Sequence, residues 1–328
     1  MFKKIILFAT VFTFVVVVVG AFVRLTDAGL GCPDWPGCYG QVTPKHAAQD
    51  IAKAVTEQGG VHGPVSIQKA WHEMLHRYLA GTLGLLILGI AVMAWVQRKR
   101  LDQSPWLACV LLLLVMFQAA LGMWTVTLLL KPVIVTLHLL GGMATLALMT
   151  WLALRQVQLT APAREALRLR PWAALGLALL VAQIALGGWV STNYAALACI
   201  DLPTCHGEWA PTMDFQHGFQ LLRELGQTAT GEKLSYDALT AIHWTHRVGA
   251  VVVALYLVVL TLLAARVQGL RGIAVVLGGL LALQVSLGIG NILTGLKLAV
   301  AVGHNAGAAL LLVVLVVLNF ALSQRPRW

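Results

Sequence analysis

The sequence predicts an all-α integral membrane protein, with eight transmembrane helices arranged as two four-helix bundles related by a pseudo-twofold axis. Of the 328 residues, 59% are hydrophobic and only 11% are charged, and the mean hydropathy is +0.81. These values exclude a soluble globular domain and indicate that most of the chain lies in lipid. Three unlike motifs also recur at nearly constant offsets, which predicts two halves that fold alike.

Eight apolar stretches are long enough to cross a hydrocarbon core of about 30 Å at about 1.5 Å per helical residue. The first follows Lys3 and Lys4 and so resembles a signal peptide. We predict a retained helix there, because its apolar run is longer than a signal core and no small-residue cleavage site follows. The predicted helices lie near residues 5–24, 71–96, 106–130, 132–154, 171–195, 241–265, 272–295 and 297–321.

The internal repeat divides the chain into residues 1–160 and 161–328, and we expect one four-helix bundle from each. The repeated motifs are a cysteine pair, a His-Arg pair, and a Gln, Gly and His set, at offsets of 167, 170 and 166. Their members are Cys32 and Cys38 with Cys199 and Cys205, His76 and Arg77 with His246 and Arg247, and Gln118, Gly122 and His138 with Gln284, Gly288 and His304.

Basic residues predict the orientation, because Lys and Arg concentrate in cytoplasmic loops. They cluster on one side of the predicted helices, which places both chain termini in the cytoplasm. The net charge of +10 then reflects topology and contact with anionic lipid, and we expect no nucleic-acid partner. No transit peptide precedes the first helix, which favours a bacterial cytoplasmic membrane. The residues are Lys3, Lys4, Arg98, Lys99, Arg100, Arg155, Arg164, Arg168, Arg170, Arg266, Arg271, Arg325 and Arg327.

Two long loops, near residues 25–70 and 196–240, are predicted on the outer side and hold four of the five cysteines. Each loop pair has the spacing Cys-x5-Cys with a proline in the turn. Because the outer face is oxidising, we predict the disulfides Cys32–Cys38 and Cys199–Cys205, with a structural role favoured over a redox-active one. A metal site there is disfavoured, and Cys109 is expected to be a buried apolar residue.

Four of the ten histidines lie at repeated positions inside apolar helices, two in each half. An unsatisfied ring nitrogen in lipid costs several kcal/mol, so four such residues indicate a function. The positions predict that both rings of a half lie at one depth, about 10 Å below the outer surface. The four are His76, His138, His246 and His304, whereas His46, His62, His206 and His217 are expected at the surface.

Two imidazoles at one depth, from different helices of a bundle, are the ligands that a haem iron needs from its two faces. Zinc would need further ligands, and the sequence offers none near either pair. Arg77 and Arg247 directly follow a predicted ligand, which predicts pairing with haem propionates, with snorkelling to the interface as the alternative. Three glutamines that each precede a glycine by four residues are predicted to make interhelical hydrogen bonds: Gln118, Gln183 and Gln284.

The halves differ next to one predicted ligand. Glu73 in the first half corresponds to His243 in the second. Glu73 and His76 share a helix face at i and i+3, so one site has an acid or base beside its iron ligand. The alternative is that Glu73 only complements the positive end of its helix.

Six motifs together resemble the haem A synthase family, the membrane enzymes that convert haem O to haem A for cytochrome oxidases. The resemblance runs over nearly the whole chain. The second cysteine loop departs from the first at residues 200–202, so it receives no special role. The motifs are GLGCPDWPGCYG at 29–40, EMLHR at 73–77, TLHLLGG at 136–142, LACIDLPTCHG at 197–207, HWTHR at 243–247 and VGHNAG at 302–307.

The resemblance implies that His76 and His138 hold the substrate haem O, and that His246 and His304 hold a permanent haem B. It further implies an oxidoreductase that converts a ring methyl of haem O to a formyl group by successive hydroxylations. We hypothesise that electrons leave through haem B, while Glu73 accepts protons or stabilises positive charge at the methyl carbon. Two axial histidines leave no open position on iron, so one dissociates or the added oxygen derives from water.

The implied partners are the haem O synthase, a farnesyltransferase, upstream and cytochrome oxidase assembly downstream, with a quinone as a candidate electron acceptor. Two other functions remain open on the residues alone. A dihaem b-type cytochrome that only transfers electrons needs both histidine pairs but not Glu73. A haem export or delivery protein needs more exposed ligands.

Overall fold

A computed structural model describes residues 1–58, 60, 65–101, 104–157 and 164–324, which fold into helices and connecting loops. Eight of the helices, all except α2 and α7, are long and apolar enough to cross a membrane, which confirms the predicted fold class. In chain order the α-helices are α1 (Phe2–Leu25), α2 (Ala48–Glu57), α3 (Ile67–Val96), α4 (Trp106–Thr127), α5 (Pro132–Leu154), α6 (Arg170–Thr192), α7 (Phe215–Gly218), α8 (Tyr236–Ala265), α9 (Arg271–Leu293) and α10 (Leu298–Ser323).

Helices α3 and α8 begin four or five residues before the predicted apolar stretches. Each starts at a serine cap, because the Ser66 side chain accepts the Lys69 backbone N–H at 3.1 Å and the Ser235 side chain accepts that of Ala238 at 3.1 Å. A serine cap satisfies an N–H that the first turn leaves unpaired. The polar cap extends the helix beyond the segment that hydropathy detects.

The connections from α4 to α5 and from α9 to α10 are built alike. Leu130 donates its backbone N–H to the Thr125 carbonyl at 2.8 Å, and Leu296 donates to the Asn291 carbonyl at 2.7 Å. Both leucines have left-handed backbone conformations, with φ of 57° and 64°. These short turns place α5 directly beside α4 and α10 beside α9, in antiparallel pairs.

The chain forms two compact units, Met1–Thr145 and Leu146–Trp328. In the first, α3 packs against α1 and α4, and Gly142 of α5 lies next to Val17 of α1. In the second, α6, α8, α9 and α10 form a closed ring of contacts. The division falls within α5, ahead of the repeat-based boundary at residue 160. The pseudo-twofold relation between the halves stays a prediction.

The loop between α1 and α3 contains a small core of its own. Both predicted disulfides are present, with Cα–Cα distances of 4.8 Å for Cys32–Cys38 and 5.0 Å for Cys199–Cys205. The first packs against α2 through the buried Ile51 and Ala54, and this cluster reaches Met74 of α3. The loop is therefore a folded cap on α3, stabilised by a disulfide and by apolar burial.

The exposure of several histidines and of Cys109 was also predicted. His46 and His206 are exposed as predicted, whereas His217 is half-buried and pairs with Asp214 at 2.6 Å. Cys109 is half-buried, so it is more exposed than expected for a core residue. The expectations for His62, Arg325 and Arg327 concern positions outside the described residues. The membrane sides of the termini and loops stay predictions.

Candidate functional site

The first unit brings together the two histidines predicted as a ligand pair. The rings of His76 on α3 and His138 on α5 have centroids 6.5 Å apart and are nearly perpendicular, at 87°. Metal–imidazole bonds are about 2.0–2.1 Å long, so two axial imidazoles on one iron have centroids roughly 6 Å apart. The spacing therefore fits a planar iron macrocycle held from both faces.

In the second unit, His246 on α8 and His304 on α10 are also close enough to interact electrostatically. Among the described residues, no group of three or more His, Cys, Asp or Glu side chains is placed to hold a bare metal ion. Two ligands for each site suit a metal whose other ligands come from a macrocycle. The donor set therefore fits haem better than zinc.

Each of the four histidine rings packs against a glycine on a neighbouring helix. A Cβ atom added at Gly20 of α1 would lie 2.9 Å from the His76 ring, and one at Gly122 of α4 would lie 3.4 Å from the His138 ring. At Gly187 of α6 and Gly288 of α9, the distances to the rings of His246 and His304 are both 3.1 Å. We call these four positions glycine notches, since a larger residue would displace the ring.

Glu73 is almost fully buried, with 4% of its surface exposed, and both of its carboxylate oxygens are bonded. Oε2 accepts the backbone N–H of Cys32 at 2.9 Å, and Oε1 accepts a hydrogen bond from Arg77 Nη2 at 2.5 Å. The carboxylate therefore joins α3 to the disulfide of the first loop. An ion-paired, fully bonded carboxylate can remain buried at this depth.

Arg77 binds the first loop at several points. Its Nη1 donates to the backbone carbonyls of Asp34 at 2.8 Å and Gly37 at 2.5 Å. Arg247 does the same in the second loop, donating to the carbonyls of Asp201 at 2.8 Å, Thr204 at 2.9 Å and Cys199 at 2.5 Å. The two arginines hold their loops in this structure, and pairing with haem propionates stays a prediction for both.

The position that differs between the halves has a shared structural role. His243 Nδ1 accepts the backbone N–H of Cys199 at 3.2 Å, just as Glu73 accepts that of Cys32. In both halves this side chain therefore binds the first cysteine of its loop. Sequence reasoning found the difference at residues 73 and 243 but missed this bond, because the partners are more than 40 residues apart.

An aspartate shapes the turn that closes each cysteine loop. Asp34 accepts the backbone N–H groups of Tyr39 at 2.6 Å and Gly40 at 2.7 Å. Asp201 accepts those of His206 and Gly207, both at 2.9 Å. Residues 200–202 therefore do not depart from the first loop in structure, because Asp201 takes the place of Asp34. Asp34 and Asp201 are 167 residues apart, the same offset as the cysteine pairs, and this offset could have revealed their correspondence.

Hydrogen bonds hold the Asp201 carboxylate in its ionised form. The Gly207 N–H and the Thr204 hydroxyl, at 2.8 Å, together with the His206 N–H, keep the pKa of Asp201 far below its usual value. Hydrogen bonds to an ionised carboxylate favour that form over the protonated one. The charge on this turn is therefore part of the folded structure of the second loop.

The chain matches the family model described as cytochrome oxidase assembly protein (COX15-CtaA) over residues 3–316. It is 43% identical to the heme A synthase of Shewanella oneidensis, over 95% of this chain and 94% of that protein. The heme A synthases of Rhizorhabdus wittichii and a Caulobacter species are 28% and 29% identical, over 94% and 92% of this chain and 90% of each relative. The matched region includes all four candidate ligands.

Proposed function

Because the chain belongs to the haem A synthase family, we propose that it is a membrane oxidoreductase that converts haem O to haem A. In this proposal, a ring methyl of haem O becomes a formyl group through successive hydroxylations. The observation that carries it is the perpendicular pair of His76 and His138, with ring centroids 6.5 Å apart and the buried Glu73 three residues before His76 on α3.

The two histidine pairs take different roles in the proposed reaction. His76 and His138 bind the substrate haem from its two faces, and His246 and His304 bind haem B. When bound, haem B supplies one-electron redox chemistry between the substrate and an acceptor, for which a quinone is a candidate. The glycine notches support haem binding at each pair, because they set the ring positions in both units.

Glu73 is the proposed catalytic residue of the first-half site. It lies three residues before His76 on α3, and the corresponding position of the haem B site is His243. We propose that its carboxylate accepts protons from the reacting methyl group or stabilises positive charge that develops at the methyl carbon. Arg77 and the Cys32 N–H orient the carboxylate from the side of the loop.

The test replaces Glu73 by the residue that the second half uses. Glu73→His should keep an acceptor for the Cys32 N–H, as His243 does for Cys199, while it removes the carboxylate. We expect haem A yield to fall by at least tenfold and haem O or a hydroxylated intermediate to accumulate, with haem B still bound. Extraction of pigments from the purified variant, followed by chromatography, measures all four species.

Two further variants control this experiment. Glu73→Ala removes both the carboxylate and the loop contact, so a larger defect than in Glu73→His would measure the contribution of the loop. His243→Glu places a carboxylate in the second half and should leave haem A yield unchanged. A normal haem A yield from Glu73→His would refute the catalytic role, and haem B as the sole pigment of the wild-type protein would favour the electron-transferring cytochrome.

The cellular setting follows from the same proposal. We propose a bacterial cytoplasmic membrane with both termini in the cytoplasm and the cysteine loops outside, as the basic residues predict. A haem O synthase, which is a farnesyltransferase, supplies the substrate, and cytochrome oxidase assembly receives the product. The oxidising outer face is consistent with two formed disulfides.

A further inference from the structure

Three of the four candidate ligands share an arrangement beyond the glycine notch. A glutamine lies four residues before the notch glycine, and a second glycine lies three residues after the histidine. The glutamine amide packs onto this second glycine so closely that a Cβ there would overlap it. The pairs are Gln118 with Gly141 beside His138, Gln183 with Gly249 beside His246, and Gln284 with Gly307 beside His304.

Two of the three glutamines lie within hydrogen-bonding distance of a ligand ring, whereas Gln118 Nε2 forms no hydrogen bond among the described residues. Gln183 Nε2 donates to the backbone carbonyl of His246 at 2.9 Å and lies 2.9 Å from His246 Nδ1. Gln284 Nε2 lies 3.4 Å from His304 Nε2. These contacts bear out the predicted interhelical bonds for both residues. The Gln183 amide thus contacts both the His246 ring and its backbone carbonyl, and a polar partner of this kind fixes the orientation of a metal-bound imidazole.

The fourth ligand, His76, does not have this arrangement. Val16 stands four residues before the notch glycine Gly20, and Leu79 stands three residues after His76. Both replacements are apolar, so neither can bond to the imidazole. In the part of the chain that the structure describes, the buried His76 Nδ1 has no hydrogen-bond partner.

The other first-half ligand differs from His76 in its surroundings. His138 Nδ1 and His304 Nδ1 also form no hydrogen bond of full geometry among the described residues. However, the backbone of Gln118 lies beside the His138 ring, and that of Gln284 lies beside the His304 ring. Among the described residues, His76, His138 and His304 thus share an unbonded Nδ1, and His76 differs from the other two in having no glutamine beside its ring.

We infer that His76 is the exchangeable ligand of the first-half site, and that the missing glutamine separates a haem site that exchanges its haem from one that retains it. This inference rests on the proposed assignment of the two histidine pairs. Loss of one polar partner of a metal-bound histidine typically lowers metal affinity about 10–100-fold. The bond that opens would then be the one on the α3 side, where Glu73 lies.

Two axial histidines leave no open position on the iron unless one of them dissociates. A site with two equally held imidazoles keeps both faces of the iron closed. Because His76 has no glutamine partner, the α3 face would open while His138 keeps its place. Substrate entry, product release and access to the reacting edge then all use the same side of the site.

The test transplants the missing arrangement into the first half. The variant Val16→Gln/Leu79→Gly supplies both the amide and the glycine that accommodates it, and Leu79→Gly alone is the matched control. The reverse variant, Gln183→Val/Gly249→Leu, removes them from the second half. The full-length proteins are purified and loaded with haem O, and the amount bound at each site is measured before the kinetics.

Carbon monoxide is the probe, because it binds reduced iron with two axial histidines only after one histidine has dissociated. At saturating carbon monoxide, the wild-type protein should show a fast and a slow phase of similar amplitude. The transplant should slow the fast phase about 10–100-fold, Leu79→Gly alone should not slow it, and the reverse variant should accelerate the slow phase by a similar factor.

Two results would overturn the inference. One is an unchanged fast phase in Val16→Gln/Leu79→Gly with both haems bound, and the other is a wild-type protein whose two sites react at equal rates. Because these rates do not depend on the conversion of haem O, either result leaves the proposed function standing. That function is decided separately by the pigments of Glu73→His.

Discussion

At the scale of single residues, the site depends on glycines as much as on histidines. Each notch lets a ring approach a neighbouring helix closely, at 2.9–3.4 Å from where a Cβ would stand. Glycine within a helix is otherwise unfavourable by roughly 0.5–1 kcal/mol relative to alanine. The four notch glycines therefore indicate that the ring position matters more than local helix stability.

A notch substitution should affect haem retention without unfolding the protein. In Gly187→Ala the new Cβ would stand 3.1 Å from the His246 ring, so the ring must shift. We expect at least a several-fold loss of haem B per protein after purification. Gly279→Ala on α9 is the matched control, because an added Cβ there has no neighbour within 4 Å among the described residues. Equal haem content in both variants would contradict a role for the notch.

The depressed pKa of Asp201 predicts that its contribution to the stability of the second loop changes only at acidic pH. Since its folded-state pKa is depressed, the carboxylate stabilises the loop above the unfolded value near 3.8, and this stabilisation is lost as pH falls through the folded pKa. The contribution of Asp201 to the stability of the loop should therefore be constant from neutral pH down to about 4. The amide resonance of Gly207, followed by NMR against pH in the wild-type protein and in Asp201→Asn, measures this, and a transition near pH 6 that is lost in Asp201→Asn would contradict it.

At the scale of elements, the cysteine loops are fastened to the helices that carry the ligands. Arg77 donates to three loop carbonyls, those of Asp34, Pro36 and Gly37, and pairs with Glu73 on its own helix. The Cys32 N–H adds a further bond to Glu73. Loop and ligand helix therefore move together, and a disturbance in the loop reaches the neighbourhood of His76.

Loss of the arginine should loosen the loop. Hydrogen bonds from a charged donor contribute about 1.5–3 kcal/mol each when buried, and this site is partly exposed. For Arg77→Met we expect about 10-fold faster amide hydrogen exchange in residues 31–41, which corresponds to about 1.4 kcal/mol. Arg247→Met is the matched variant, in which the faster exchange should fall in residues 198–208 instead. Unchanged exchange in both variants would contradict a role for the arginines in holding the loops.

Hydropathy and repeats predicted most of the elements, and the exceptions have physical causes. The helix α2 escaped prediction because its ten residues are only half apolar and pack onto a disulfide loop. The ligand pairs were predicted because an imidazole inside an apolar helix is rare. The absence of a Gln and Gly pair beside His76, where Val16 and Leu79 stand instead, was not predicted. It appears only as a departure from a pattern that three pairs of helices share.

At the scale of the whole molecule, the sequence repeat accounts for two similar histidine pairs, to which we have proposed different roles. The shared features are the notches, the arginine contacts and the cysteine loops. The differences beside the candidate ligands include Glu73 against His243, and Val16 with Leu79 against Gln183 with Gly249. If the proposed roles hold, these few positions distinguish a reactive half from a retentive one.

The basic residues predict that the two cysteine loops lie on the outer face, and this orientation can be measured. Glu57 at the end of α2 and Lys99 after α3 are both exposed and lie at opposite ends of α3. In intact cells, a membrane-impermeant maleimide should label Glu57→Cys but label Lys99→Cys only after permeabilisation. The parent protein is the control, because its loop cysteines are in disulfides and Cys109 is half-buried. Labelling of Lys99→Cys in intact cells would place the loops inside, where two disulfides would not be expected to persist.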